Sequence, residues 1–362
     1  MLSTPETDKR TAMTDTLSSG EHRATQSPLD TLAFDESAAL LEVRDLHVEF
    51  HTRDGLAHAV NGVSFSLEAG ETLGILGESG CGKSVTAQAI MGILDSPPAR
   101  IAGGEVRYRG VDLLSLDEGV RRHVRANRIA MIFQDALSAL NPVFTVGWQL
   151  GEPARKHSGA SRGDAKRRAV ELLDMVGIPA AKQRVNDFPH QFSGGMRQRV
   201  MIAMALALEP DVIIADEPTT ALDVTVQAQV MDLLAGLQKE MQLGLVLITH
   251  DMGVVADVAD KICVMYAGGA VEQADVYDIY EKPAHPYTKA LLESIPRVDQ
   301  KGQRLTAIKG LPPLLTDPPS GCSFNPRCHY ARDHCAHDEP PLHDLPGGRK
   351  SACHYWEEVL GS

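Results

Sequence analysis

The sequence has no run of 18 or more apolar residues, so no part of it is expected to cross a bilayer as a helix. Positive charge is also scarce. Its 35 lysines and arginines face 48 aspartates and glutamates, a formal net charge of −13, which excludes a general nucleic-acid coat while allowing a local basic patch. The first thirty residues lack the apolar stretch of a secretory signal. They are rich in Ser, Thr, Asp and Glu without periodicity, and residues 1–39 are expected to form a disordered tail. A cytoplasmic protein is therefore expected, where six cysteines are not expected to pair as disulfides. Four of the six, Cys322, Cys328, Cys335 and Cys353, crowd toward the end of the chain, which points to a metal instead. The C-x₂₋₄-C pairs of structural zinc are missing there, and so is the C-x₂-C-x₂-C run of bacterial ferredoxins, so spacing does not choose between metals.

What is present is a chain of 362 residues, 43% hydrophobic, long enough for one large core and a small second unit. "DVIIADEP" and "LGLVLITHD" are short apolar runs without polar alternation, the pattern of parallel strands covered on both faces. Helical spacing lies between them, and the alternation implies an α/β fold with a parallel sheet. Residues 135–192 carry helical spacing ("DAKRRAVELLDMVGI") and no strand signal, which suggests an inserted helical subdomain. From residue 285 onward prolines and cysteines dominate, marking a small, poorly hydrophobic extension over 285–362.

"GESGCGKS", Gly77–Ser84, satisfies G-x-x-x-x-G-K-[ST] and follows a strand-like "TLGIL". Gly77, Gly80 and Gly82 let successive backbone N–H groups turn inward around phosphates. Lys83 neutralises the β and γ phosphates, and Ser84 offers a hydroxyl to magnesium. Glu78, Ser79, Cys81 and Val85 complete the candidate ATP-binding segment. Asp216 and Glu217 end an apolar strand, where carboxylates are costly unless paired or bound to a cation. Asp216 suits magnesium and Glu217 suits the attacking water. His250 ends the neighbouring run at the same expected sheet edge, where it can reach the γ-phosphate. A second phosphate-suited helix start appears in "HQFSGGMRQRV": Ser193, Gly194 and Gly195 before an apolar helix, with no gripping lysine.

The ordered set "GESGCGKS", Gln134 in "MIFQD", "SGGMRQR", "VIIADEP", "ALD" and "ITHD" resembles the nucleotide-binding subunits of the ATP-binding cassette (ABC) family over residues 40–284. The resemblance implies a P-loop NTPase with a RecA-like parallel sheet, an antiparallel β subdomain and the inserted helices. It makes Gln134 a contact for magnesium and for membrane subunits. Ser193, Gly194 and Gly195 become the signature, Asp223 the D-loop carboxylate, His250 the switch histidine, and Phe50 the aromatic that stacks on adenine. Two such domains pair head to tail in this family, so the signature of one caps the ATP held by the other's lysine loop. That accounts for two phosphate pockets and one lysine. The signature departs from LSGGQ at Phe192 and Met196, sparing the serine and both glycines.

"FSGGMRQRVMIAMALALEPDVIIADEPTTALDVTVQAQVMDLL", "AHPYTKALLESIP" and "GLPPLLTDPPSGCSFNPRCHYARDHC" are similar to the ATPases of dipeptide and oligopeptide permeases. That similarity implies a peripheral ATPase on the cytoplasmic face of the membrane, energising import of di- or oligopeptides. Its partners would be a second, different ATPase subunit, two transmembrane permease subunits and an extracytoplasmic binding protein, with no nucleic acid. Relatives that import nickel, glutathione or other small solutes leave the cargo open. It also implies a [4Fe–4S] cluster on Cys322, Cys328, Cys335 and Cys353, with zinc or no metal as the alternatives. Leu140, Val143, Phe144 and Trp148, beside Gln134, are expected to grip a membrane subunit, with ordinary core as the alternative for Leu140 and Val143. Non-transport ATPases of the superfamily fit less well: residues 84–193 carry no heptads for a coiled coil, and only one cassette is present. Cys263 in "KICVMYA" is expected in the core.

Overall fold

The computed structural model describes residue 29 and residues 32–135, 139–220, 222–295 and 308–361. The expected N-terminal tail lies outside the described residues apart from residue 29 and residues 32–39. A hairpin of β1 (Leu41–Thr52) and β2 (Gly55–Leu67) leads into β3 (Thr72–Leu76) and the helix α1 (Lys83–Met91). Then come β4 (Ala99–Tyr108), β5 (Val111–Asp112), α2 (Glu118–Asn127) and β6 (Ile129–Ile132). Among the described residues four α-helices follow: α3 (Val146–His157), α4 (Arg162–Met175), α5 (Ala181–Arg184) and α6 (Gly194–Ala205). Strands and helices next alternate through β7 (Val212–Asp216), α7 (Val224–Met241), β8 (Gly244–Thr249), α8 (Met252–Val258), β9 (Lys261–Tyr266) and β10 (Gly269–Asp275). Finally come α9 (Val276–Glu281), α10 (Pro286–Glu293), β11 (His343–Asp344), β12 (Lys350–Ser351) and α11 (Trp356–Leu360).

Two sheets result, as the α/β reading expects. The smaller runs β2-β1-β4-β5 and is antiparallel. The larger runs β11-β12-β10-β9-β3-β8-β7-β6, and its β9-β3-β8-β7-β6 portion is parallel. Every residue of β3, β7 and β8 is buried, which is why these strands show no polar alternation. Parallel pairing also brings their C-terminal ends to one edge of the sheet, where ligands bind in open α/β folds.

Three of the helices between β6 and β7, α3, α4 and α6, begin on side-chain caps. Thr145 accepts the Trp148 N–H at the start of α3, and Ser161 accepts the Asp164 N–H at the start of α4. Their apolar faces, including Val146, Leu150, Leu172 and Leu173, bury into the same core as the parallel sheet. Leu140 belongs to that core at 2% exposure, so the structure corrects its place in the expected membrane-subunit face: it is interior packing. Val143 is 70% exposed, and Phe144 and Trp148 stack on each other at the surface with centroids 4.1 Å apart.

The extension does not stand apart from the sheet. Its strand β12 pairs with β10 through Glu272↔Ser351 and Gln273↔Lys350, and Phe324 enters the main core against Tyr266 and Tyr287. A segment too polar to build its own core thus shares a larger one. Glu272, fully buried, pins the junction by accepting the backbone N–H groups of Ala284 and His285 beside the Arg349 guanidinium. Burial pushes the Glu272 carboxyl up to about 7 and pulls the His285 imidazole down to about 3.

Candidate functional site

The loop between β3 and α1 is shaped by glycine at its tightest points. Gly82 has φ +104°, and a Cβ there would lie 2.3 Å from the Ala59 carbonyl oxygen. A Cβ at Gly77 would meet the Met265 carbonyl oxygen, also at 2.3 Å. No side chain caps α1, whose N-cap is Gly82, so its first amides are left facing the loop. Lys83 is buried, and its Nζ donates to the carbonyls of Gly77 (2.8 Å) and Glu78 (3.0 Å). Ser79 and Gly80 are exposed at the loop crown, and Val85 packs against the cluster under the smaller sheet. Cys81 is buried, and burial raises its thiol pKa, which fits a small loop residue rather than a nucleophile.

Three neighbouring strand ends deliver the rest. Ser84 Oγ donates to Asp216 Oδ1 at 2.9 Å, at the end of β7. Burial raises the Asp216 carboxyl pKa, and the Ser84 hydrogen bond opposes that shift. Glu217 is the next residue and turns with φ +46°, an uncommon conformation for a side chain of its size. Its backbone N–H donates to Ile248 O at 2.8 Å, which ties the turn to β8. Its carboxylate then collects three partners: Gln134 Nε2 donates to Oε2 at 2.8 Å, Thr220 Oγ1 to the same oxygen at 2.9 Å, and His250 Nδ1 stands 3.2 Å from Oε1. Gln134, expected at magnesium, therefore touches Glu217.

The second helix start is built differently. Ser193 Oγ accepts the Met196 N–H at 3.4 Å as the cap of α6. Gly195 lets α7 approach: a Cβ there would lie 2.5 Å from Val226 Cγ1. Asp223 caps α7 by accepting the Val226 N–H at 2.9 Å, so signature and D-loop positions converge on Val226. Arg197, the nearest cation on α6, donates instead to the Pro189 carbonyl at 2.8 Å. Phe192 is buried under the Arg184 guanidinium and Met196 is half-buried against the core, so both departures from LSGGQ are packing residues. Phe50 lies in β1 opposite Ala57 and Ala99, half-buried in the smaller sheet.

Cys322, Cys328, Cys335 and Cys353 line a single cavity together with Phe324, Tyr330 and Tyr355. Burial pushes the Cys328 thiol up to about 12 and the Cys353 thiol up to about 11, and raises Cys322 as well. Among the described residues, no three His, Cys, Asp or Glu side chains are grouped to hold a metal ion. Cys263 is fully buried in β9, as expected. His334 pairs with Asp338 and its ring lies 4.2 Å from that of His354.

Three residues at the site escape sequence reasoning. Thr220 had a local signal, since it follows Glu217 by three positions and a hydroxyl there can turn back onto the carboxylate. Tyr287 and Arg327 had none: they reach Glu78 from the extension, Tyr287 OH accepting the Glu78 N–H at 2.9 Å and Arg327 pairing with its carboxylate.

Two family models match the chain: "ABC transporter" over residues 60–220, and "Oligopeptide/dipeptide transporter, C-terminal region" over residues 271–335. The oligopeptide transport ATP-binding protein OppD of Bacillus subtilis is 53% identical over 304 residues, 84% of this chain and 85% of that protein. The dipeptide transport ATP-binding protein DppD of Escherichia coli is 49% identical over 317 residues, 88% of this chain and 97% of that protein. Among solved structures, the dimeric post-hydrolysis state of the ATP-binding cassette MJ0796 bound to ADP and Pi superimposes with a TM-score of 0.59 at 29% identity, covering 65% of this chain and 98% of that one. Among the described residues no helix is long and apolar enough to cross a membrane.

Proposed function

This chain belongs to the ATP-binding subunits of ABC transporters, in their oligopeptide/dipeptide branch, and we propose that it is the ATPase that energises a peptide importer from the cytoplasmic face of the membrane. The carrying observation is the grouping of Glu217 with Gln134, Thr220 and His250 at the sheet edge beside Lys83, Ser84 and Asp216. ATP enters with its phosphates on the open amides of α1. Lys83 Nζ exchanges the Gly77 and Glu78 carbonyls for the β and γ phosphate oxygens, a charge-assisted contact that replaces two neutral ones.

Ser84 and Asp216 suit a magnesium ion: two oxygen donors already in contact, one a buried carboxylate that a cation would relieve. Held there, magnesium would supply positive charge to offset that of the phosphates. Glu217 accepts a proton from the attacking water, its carboxylate held in place by Gln134 and Thr220. His250, 62% exposed on its side chain, is assigned to the γ-phosphate.

The signature residues lack a cation, so they cannot hold a triphosphate unaided. They are assigned to the ATP of a second, different ATPase subunit, an arrangement supported by the dimeric cassette to which this fold is similar. Phe144, Trp148 and Val143, apolar and exposed in the stretch that follows Gln134, are assigned to a permease subunit. Two permease subunits and an extracytoplasmic binding protein complete the proposed complex. Phe50 remains assigned to the adenine.

The four thiols around one apolar cavity are the donor set of a soft-metal centre. Among the described residues no three of them are grouped to hold an ion. We assign Cys322, Cys328, Cys335 and Cys353 to the [4Fe–4S] cluster that the similarity to peptide-permease ATPases implies, with zinc as the alternative. Bound there, the cluster would supply folding energy to the extension. Anaerobic purification should give a brown protein with about four iron atoms per chain, and Cys328→Ser should bleach it; a colourless protein with one zinc would reject the cluster. For the ATPase, Glu217→Gln should bind ATP and stall the assembled complex, and ordinary turnover would reject the assignment.

A further inference from the structure

We infer that Arg327, in the cysteine-bearing extension, is a positioning residue for the phosphate loop: it neutralises Glu78 and holds that carboxylate away from the nucleotide. The inference rests on the proposed ATP site at Lys83 and goes beyond it, since it makes ATP affinity depend on a segment outside the cassette.

Arg327 grips Glu78 with both arms of its fork, Nη1 to Oε2 at 2.6 Å and Nη2 to Oε1 at 3.0 Å. Its side chain is 4% exposed and that of Glu78 26%, so this is a partly buried pair and not a surface ornament. Nε donates to the Lys309 carbonyl at 3.1 Å, and Nη1 also reaches Tyr266 OH at 3.3 Å, which fixes the fork from behind. Pairing with Glu78 raises the guanidinium pKa. Glu78 is held a second time, because its backbone N–H donates to Tyr287 OH. Tyr287, Tyr266 and Phe324 form one ring cluster, with centroids 4.6 to 5.3 Å apart, beneath these contacts. Thus side chain and backbone of Glu78 are both anchored on the extension and its neighbours.

The position explains why this matters for ATP. Glu78 directly follows Gly77, and its own carbonyl accepts from Lys83 Nζ. A carboxylate released at that point would lie within reach of the lysine and beside the entering phosphates. It would compete for one charge and repel the others. Arg327 removes both effects with one bidentate contact. Cys328 comes next in the chain, and Arg327 N–H donates to the Phe324 carbonyl at 2.9 Å, so order in the cysteine turn and placement of the guanidinium are linked.

The test is equilibrium binding of a fluorescent ATP analogue to the full chain. Arg327→Met should weaken binding about tenfold, in line with an unpaired charge left at a partly buried site. Adding Glu78→Gln to it should restore affinity to within about threefold of wild type, because the carboxylate that competes is gone. A merely structural arginine would not be rescued this way. Arg327→Lys keeps the charge without the fork; it should bind about threefold more weakly at an unchanged melting temperature, and it covers the case in which Arg327→Met does not fold. Wild-type affinity in either single variant, or a double variant as weak as Arg327→Met, would overturn the inference alone. Lys83→Ala serves as reference: wild-type affinity there would overturn the ATP site and the inference with it.

Discussion

The starts of α1 and α6 both offer helix amides to a phosphate, yet they are built on opposite plans. At α1 no side chain occupies the amides, and Lys83 and Ser84 bring a cation and a hydroxyl backed by Asp216. At α6 the Ser193 hydroxyl already serves its own helix, and Arg197 is turned onto the Pro189 carbonyl. The first end can bind a polyanion by itself. The second supplies dipoles and a hydroxyl only, which suits it to complete a site whose charge is balanced elsewhere. On the proposed function, the chain therefore carries one binding end and one completing end, and the difference between them is why a second cassette is required.

That contrast can be broken by experiment. Glu217→Gln should lower turnover of the assembled complex by more than about a hundredfold with ATP affinity retained, the size expected when a general base is removed. Lys83→Ala should weaken ATP binding to the isolated chain by about a hundredfold, through loss of the buried charge that faces the phosphates. Ser193→Ala should leave the isolated chain's ATP affinity within about twofold of wild type, and lower complex turnover about tenfold, the worth of one hydrogen bond to a charged group. If the Lys83 and Ser193 variants changed isolated-chain affinity equally, the two ends would not differ as described.

The smallest effect concerns the junction that carries the extension. The Glu272 carboxyl, at about 7 in the folded chain against an ordinary 4.5, keeps its proton where the unfolded chain has lost it. Its contribution to stability is fully present below about pH 4.5 and is lost as pH rises through about 7. Glu272→Gln should therefore flatten the fall in melting temperature between pH 5.5 and 8 by a few degrees at most. An identical pH slope in the variant would show that the buried carboxyl does not titrate in this range.

The cassette was legible because its chemistry is local. The glycines and Lys83 lie within one octapeptide, and the apolar runs before Asp216 and His250 announce buried parallel strands whose ends share an edge. Leu140 and Val143 show the limit. Both are aliphatic and three residues apart, and only the packing of α3 against the core decides that one is interior and the other exposed. The pairing of the extension with the sheet was hidden for a related reason: β12 is two residues long, and its partner β10 lies far upstream, so no periodicity marks it. Thr220 follows Glu217 by three residues and needed only a turn to be seen. Arg327 needed the whole fold.

Glu78 and Arg327 are separated by 249 positions along the chain. During synthesis the glycine loop leaves the ribosome long before its guanidinium partner has been translated, and domains fold as their residues emerge. A nascent cassette with Lys83 and no Arg327 presents a loop whose carboxylate is still loose. If Arg327 positions the loop as inferred above, full affinity for nucleotide would await translation of the cysteine turn.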